Sequence, residues 1–315
     1  MIINLITEYL PENVITNEYF IKNCGITNEE IIAKSGIKQR RVTSADENSN
    51  TMAIEAVNNA LTKLPYSINE IDLIVGATYT PFDTVGTIAH AVQSNFKLEN
   101  AKCFTVDSAC SSYINALEIV ETYLATGKAS KALVIVSENN SIYNNISDPQ
   151  SGFLWGDGAA AVFISKERYS DDDFQVLDIQ TKGLGNIGKS IEGVYLRPTN
   201  GGLKMPYGKD VFQHACNYLI EETENILRKN NLSTSEINYF IPHQANIRII
   251  DFVADRLKID SERVLNNIEY LGNTGSASTA IVMAQYKNQF KRGDTIVISV
   301  FGGGYSSGAV LMKKI

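Results

Sequence analysis

Cys110 stands in Asp107-Ser-Ala-Cys-Ser-Ser, between a strand-like apolar run and a helical one. A thiol at a helix N-terminus meets the positive end of the dipole and unpaired N–H groups, which favour the nucleophilic thiolate. Ser108, Ala109, Ser111 and Ser112 are small enough to let a substrate approach the sulfur. Taken alone, the segment fits equally a small buried hydrophobe, the commonest fate of a lone cysteine. His243 follows a strand directly in Ile241-Pro-His-Gln-Ala-Asn246, and the tip of a parallel strand is where α/β folds place their sites. Asn273 opens a helix in Leu271-Gly-Asn-Thr-Gly-Ser. Separately, these two also fit a satisfied core histidine and an N-cap asparagine. His90 and His214, the other histidines, have no motif around them and read as structural.

The elements that must position these residues are short apolar runs alternating with helical stretches. Ile71–Ala77, Cys103–Val106, Ala132–Ser137 and Ala159–Ile164 read as buried strands, and Ile114–Leu124 as a helix ended by Gly127. That βαβ pattern predicts a sheet covered by helices on both faces. The polar stretch Lys166–Asp173 reads as a connector. Beyond it Asn238–Ile241 is a strand, Ala245–Leu257 and Asn273–Gln289 are helices, and Thr295–Val300 and Ala309–Lys313 are strands around the tight turn FGGGYSSG. SAC-SSYINAL leads to a helix and ALVIVS; GNTGSASTAIVMA leads to a helix and TIVISV. The order repeats, so the chain reads as two similar α/β halves, residues 1–168 and 169–315. A pseudo-two-fold then sets Cys110 and Asn273 at corresponding turns and brings both, with His243, to one site.

Composition removes other classes. The 315 residues carry 28 Lys+Arg against 35 Asp+Glu, a net charge of −7, without a basic block, which argues against nucleic-acid binding. A hydrophobic content of 44% with 20% charged residues is that of a globular protein. No apolar run approaches the ~18 residues of a membrane helix. MIINLITEYLPEN has Glu8 and Pro11 and no early cation, which predicts no signal peptide. Cys24, Cys103, Cys110 and Cys216 lack metal-ligand spacing and read as reduced thiols in a cytoplasm, with no metal. Gly183-Leu-Gly-Asn-Ile-Gly188 matches the GxGxxG pattern, but Gly193, Pro198 and Asn200-Gly-Gly follow where a nucleotide loop must open a helix.

Asp-Ser-Ala-Cys-Ser-Ser, Pro-His-Gln-Ala-Asn-Ile-Arg, Gly-Asn-Thr-Gly-Ser-Ala-Ser and Phe301-Gly-Gly-Gly together resemble, in order and spacing, the active-site signatures of the β-ketoacyl-ACP synthase III family of the thiolase superfamily. The resemblance implies a five-layered αβαβα fold of two duplicated halves, each with a mixed, mostly parallel sheet. It implies a homodimer that condenses an acyl thioester, on coenzyme A or acyl carrier protein (ACP), with malonyl-ACP and needs no cofactor. Cys110 would hold the acyl group, with the N–H groups of Cys110 and Gly303 as oxyanion hole. His243 and Asn273 would stabilise the enolate left by decarboxylation. His paired with Asn, rather than Asp, goes in this family with C–C bond formation.

The same resemblance locates binding residues and two departures. Lys34 falls at a family Arg beside the adenine of coenzyme A, but Glu30 stands where a stacking Trp is usual, and Ser147–Trp155 contains no Arg. Asn246, Arg248 and Arg256 lie on or next to the helix that borders the ACP entrance; the two arginines are eight residues apart, on one face, interrupted by Asp251 and Asp255. Val85 aligns with the residue that closes the partner's acyl pocket, a Phe in acetyl-preferring members. Valine there predicts starters longer than acetyl, with Phe82 or Tyr79 as alternative fillers of the space. Two other functions fit the fold: a secondary-metabolite synthase joining two β-keto or unsaturated acyl units, and a non-catalytic partner subunit. The intact Cys110, His243 and Asn273 argue against the second.

Overall fold

The computed structural model describes residues 1–315. The first half contains β1 (Ile2–Tyr9), β2 (Asn13–Thr16), α1 (Asn17–Cys24), α2 (Asn28–Ser35), β3 (Gln39–Val42), α3 (Ser49–Asn58), β4 (Leu73–Ala77), α4 (Ile88–Phe96), β5 (Lys102–Val106), α5 (Ser112–Ala125), β6 (Lys131–Glu138) and β7 (Gly158–Ser165). The second contains β8 (Phe174–Gly183), β9 (Tyr195–Arg197), β10 (Gly202–Lys204), α6 (Gly208–Lys229), β11 (Tyr239–Pro242), α7 (Ile247–Leu257), α8 (Ile268–Leu271), α9 (Ser278–Tyr286), β12 (Thr295–Gly302) and β13 (Ser306–Lys314). No helix is long and apolar enough to cross a membrane.

Nine strands form one sheet in the order β11-β12-β13-β8-β1-β7-β6-β4-β5. Its two wings share a plan. In the first, β5, β4 and β6 pair in parallel, β7 runs against β6, and β1 closes on β7. In the second, β11 and β12 pair in parallel, β13 runs against β12, and β8 closes on β13. A bridge from Phe240 to Val264 lies where a counterpart of β5 would stand. The two wings, one per half, are also joined to each other at their inner strands. β1 and β8 pair through Ile2–Gln175 and Ile3–Phe174, which satisfies edge groups that two separate sheets would leave open.

The layers follow from the strand period of two. Leu73, Val75 and Ala77 of β4, with Ala132, Val134 and Val136 of β6, face a central core, as do Ile296, Ile298 and Val300 of β12. That core is filled by α5 and α9. The alternate residues Ile74, Leu133 and Ile135 face α3 and α4, whereas Phe240, Val297 and Phe301 face α6 and α7. Helices therefore lie outside each wing and between the two. Strands covered on both faces read as continuous apolar runs, and each fully buried Val, Leu or Ile contributes roughly 1.5–3 kcal/mol.

The connector Lys166–Asp173 joins β7 to β8 and ends on a buried anchor: Asp173 is fully buried, and its carboxylate accepts hydrogen bonds from Asn4 Nδ2 (2.9 Å), the Tyr169 N–H (2.7 Å) and Ser170 Oγ (2.9 Å). One local expectation changes. The helix expected from Asn273 is shorter, because a 3₁₀ turn at Gly275–Ala277 precedes α9. After Gly183 ends β8 no α-helix opens until α6.

Candidate active site

Cys110 occupies a tight turn between β5 and α5. Ala109 there has a φ of +52°, a left-handed conformation that a side chain disfavours. Local hydrogen bonds hold it: Asp107 Oδ1 accepts the Ala109 N–H at 2.9 Å, and Ser112 Oγ accepts the Ser108 N–H at 2.8 Å while donating to the Ala109 carbonyl at 2.6 Å. The turn is tied to the second half by Ser306, whose Oγ donates to the Ser108 carbonyl at 2.9 Å.

The end of β12 lies against this turn. A Cβ on Gly302 would stand 2.8 Å from the Cys110 nitrogen and 3.0 Å from the Ser111 nitrogen, so only glycine permits the approach. The next N–H, that of Gly303, reaches the Cys110 sulfur as a hydrogen-bond donor. His243 extends β11 by one residue, its N–H donating to the Ser299 carbonyl at 2.8 Å. Its ring is 4% exposed, and Nδ1 lies 2.9 Å from Ser278 Oγ. Burial without a counter-charge lowers the imidazole to about 4, so it is neutral at pH 7. Asn273 sits on the loop before α9, where its Oδ1 accepts the Gly275 N–H at 2.9 Å. That bond commits the oxygen and leaves the amide N–H groups for the cavity. Cys110, His243, Asn273, Gly302 and Gly303 line one cavity.

The electrostatics at Cys110 correct the expectation of a ready thiolate. Burial pushes the thiol up to about 12, and the carboxylates of Glu138 and Asp107 add to this; the Tyr79 hydroxyl and the Gly303 N–H pull the other way. Cys110 lies just before the first turn of α5, whose dipole favours the thiolate, but burial and the two carboxylates oppose it. The sulfur is therefore protonated at rest, and a proton acceptor must serve it. Glu138 is fully buried; it accepts hydrogen bonds from Thr80 Oγ1 (2.5 Å), Thr78 Oγ1 (3.1 Å) and Ser276, and desolvation raises it to about 8.

Two further cavities continue from the centre. One, a largely apolar chamber beside Cys110 that is open on one side, is lined by Tyr79, Trp155, Ile191, Val194, Leu196 and Leu203 among others. The other is an open groove that includes Lys34, Phe153, Met205, Lys209 and Asn246. Lys34 and Asn246 meet there, Asn246 Nδ2 donating to the Lys34 carbonyl at 2.7 Å, while Asn246 Oδ1 caps α7. Glu30 faces solvent and closes a capping box with Thr27, a local reason for an acid at that position. Arg248 and Arg256 are exposed on α7, over the rings of Phe212 and Phe252. Val85 is not brought to the site of its own protomer: it is 85% exposed on the loop after β4. His90 and His214 lie elsewhere, beside Thr87 and Asp210.

Tyr79 as a chamber wall, Trp155, Glu138 and Ser278 escape sequence reasoning. A lone Glu at the end of an apolar strand run, as in Ser137-Glu138-Asn139, is the one signal that could have singled out a buried carboxylate.

A duplicated α/β fold with a cysteine, a neutral histidine and an asparagine around one cavity defines a thiolase-fold condensing enzyme of the acyltransferase type. Residues 104–185 match the sequence profile of 3-oxoacyl-(acyl-carrier-protein) synthase III, and residues 227–314 match the profile of its C-terminal part. A β-ketoacyl-(acyl-carrier-protein) synthase III of Clostridium perfringens (strain SM101 / Type A) is 35% identical, over 97% of this chain and 96% of its own. The crystal structure of 3-oxoacyl-(acyl-carrier-protein) synthase III from Aquifex aeolicus VF5 superposes with a TM-score of 0.92 at 34% identity, covering 99% of both chains. The priming β-ketosynthase from the R1128 polyketide biosynthetic pathway superposes with a TM-score of 0.89 at 26% identity, covering 98% of this chain and 96% of its own. The chain belongs to the β-ketoacyl-ACP synthase III family. These relatives do not favour a synthase joining two β-keto units or a non-catalytic subunit.

Proposed function

We propose that the chain acylates Cys110 from an acyl thioester and condenses that acyl group with malonyl-ACP, using Cys110, His243 and Asn273. The observation that carries this is their meeting in one cavity, each delivered by a different loop. In the first step the thiol proton passes to neutral His243, the sulfur bonds to the acyl carbon, and the carrier thiol leaves with that proton. The N–H groups of Cys110 and Gly303 hold the oxyanion. In the second step malonyl-ACP loses CO₂, and the bond's electron pair moves into an enolate whose oxygen accepts from His243 Nε2–H and Asn273 Nδ2–H. The enolate carbon attacks the acyl-Cys110 carbonyl, the C–S bond breaks, and the sulfur leaves as a thiolate that takes up a proton from solvent to restore the resting thiol. The Ser278 hydroxyl, 2.9 Å from Nδ1, can donate or accept, so the ring can offer either an Nε2 lone pair or an Nε2–H. Every step runs on side chains and backbone, without metal or bound cofactor.

Three finer statements have support of the same kind. A second copy of the chain covers the loop after β4, where Phe82 and Val85 are apolar and 62% and 85% exposed. ACP docks by α7, where Arg248 and Arg256 have no ion-pair partner. Four free cysteines fit a reducing cytoplasm. The test is intact-protein mass spectrometry after incubation with a panel of acyl-CoA and acyl-ACP donors, followed by malonyl-ACP. The expected result is one acyl group on Cys110, discharged as a β-ketoacyl-ACP. Absence of any adduct on Cys110 refutes the assignment.

A further inference from the structure

The chamber beside Cys110 has one wall that cannot move aside. Tyr79 lies two residues beyond β4, and its hydroxyl donates to Asn140 Oδ1 at 2.8 Å. Asn140 is itself held, because its Nδ2 donates to the Gly156 carbonyl at 2.8 Å. The Tyr79 N–H is anchored by the buried carboxylate of Glu138, 3.3 Å away. On its other side the ring lies on the turn that orients Asn273. A Cβ at Gly275 would stand 2.4 Å from the Tyr79 hydroxyl oxygen and 2.8 Å from Cε1 and Cζ. Backbone, hydroxyl and ring are thus all fixed, and the hydroxyl is close enough to the Cys110 sulfur to act on its proton affinity.

A fixed wall next to the sulfur acts on the carbons nearest the thioester carbonyl, not on the far end of the chain. A straight chain runs past the ring toward Val194, Leu196 and Leu203, which line the same chamber. A methyl branch at the second or third carbon is pressed toward a ring that has nowhere to go, and overpacking of that kind is costly. We propose that Tyr79 is a specificity-determining residue that confines the first carbons of the acyl group on Cys110 and selects straight over branched starters. The inference rests on the acyl-carrying role of Cys110.

The test times acylation of Cys110 by intact mass, in separate reactions with butyryl and isobutyryl thioesters, on both coenzyme A and ACP. The two groups have the same carbon number and differ only in shape. Butyryl loads at least about tenfold faster in the wild type, the size set by an overpacked rigid wall. Tyr79→Thr lowers that ratio at least about fivefold, and Tyr79→Phe, which keeps the ring, leaves it within about twofold. Melting curves confirm that each variant is folded, and Tyr79→Leu replaces Tyr79→Thr if the latter is not. A smaller wild-type ratio, an unchanged ratio in the smaller variant, or an equal drop in Tyr79→Phe overturns the proposal. Wild-type protein that loads neither donor overturns the acyl-enzyme reading itself, and this inference with it.

Discussion

The first wing brings Cys110 to the cavity from the turn before α5, and the second brings Asn273 from the corresponding turn before α9. Their strand orders match, but the loops at their strand ends do not. After β11 the chain needs only His243–Asn246 to reach α7; His243 and Gln244 are buried and Asn246 caps the helix, which fixes the imidazole. After β4 the chain runs from Thr78 to Thr87 before α4, pinning Tyr79 at one end and exposing Val85 further on. The third strand end differs as well. β6 finishes with the buried carboxylate of Glu138, whereas β12 finishes with glycines that let backbone N–H groups approach the sulfur. One architecture thus supports two kinds of loop: short ones that hold reacting groups and a long one that decides what reaches them.

Substitutions can break this division of labour, beginning with the largest effect. Cys110→Ala abolishes the acyl adduct while circular dichroism stays unchanged, since Ala keeps the small volume and removes the nucleophile. An adduct in that variant would move the nucleophile elsewhere. Asn273→Ala slows malonyl-ACP decarboxylation by the ~10²–10³-fold that one oxyanion donor is worth and affects acylation less, whereas His243→Ala slows both steps, because the imidazole also accepts the Cys110 proton. ¹⁴CO₂ release measured beside single-turnover loading separates the two steps. Gly302→Ala forces a methyl against the Cys110 and Ser111 nitrogens, destabilises by roughly 1–3 kcal/mol, and lowers the melting temperature by a few degrees. If the long loop serves selection alone, Val85→Phe shifts competitive loading toward acetyl over octanoyl and leaves decarboxylation untouched.

The smallest effect is a pH dependence. An imidazole lowered to about 4 stays a neutral proton acceptor as pH falls from 7.5 to 5.5, where an ordinary histidine near 6.5 would become charged. Acylation therefore stays within about twofold across that range. A tenfold fall per pH unit in stopped-flow loading would show that the reaction draws on preformed thiolate instead.

Much of this could be read from the chain before its structure. β4, β6, β7 and β12 are covered on both faces, so their apolar runs announce them, and Cys110, His243 and Asn273 stand at element ends that local patterns mark. β1 and β8 escape the same reasoning although they sit at the middle of the sheet. They carry Asn4, Thr7 and Glu8, or Gln175, Asp178 and Gln180, which break the apolar run. Some of those polar groups answer partners far away in sequence, as Thr7 does with the Ala56 carbonyl at 2.6 Å and Asn4 with Asp173. Tyr79 and Glu138 escape for the same reason. Their importance lies in loops from opposite halves meeting, and no window of sequence contains both sides of that contact.

The place of β1 also sets a timetable for synthesis. It leaves the ribosome well before its partners, because its ladder partner β7 begins at Gly158 and its other neighbour β8 at Phe174. At roughly 5–20 residues per second, the wait for β7 lasts on the order of ten to thirty seconds. Through that interval Ile2, Ile3, Leu5 and Ile6 belong to a segment without its sheet, a template for any passing strand edge. Nascent chains halted before residue 158 should therefore be clients of holding chaperones, and release should come only as β7 arrives to claim its partner.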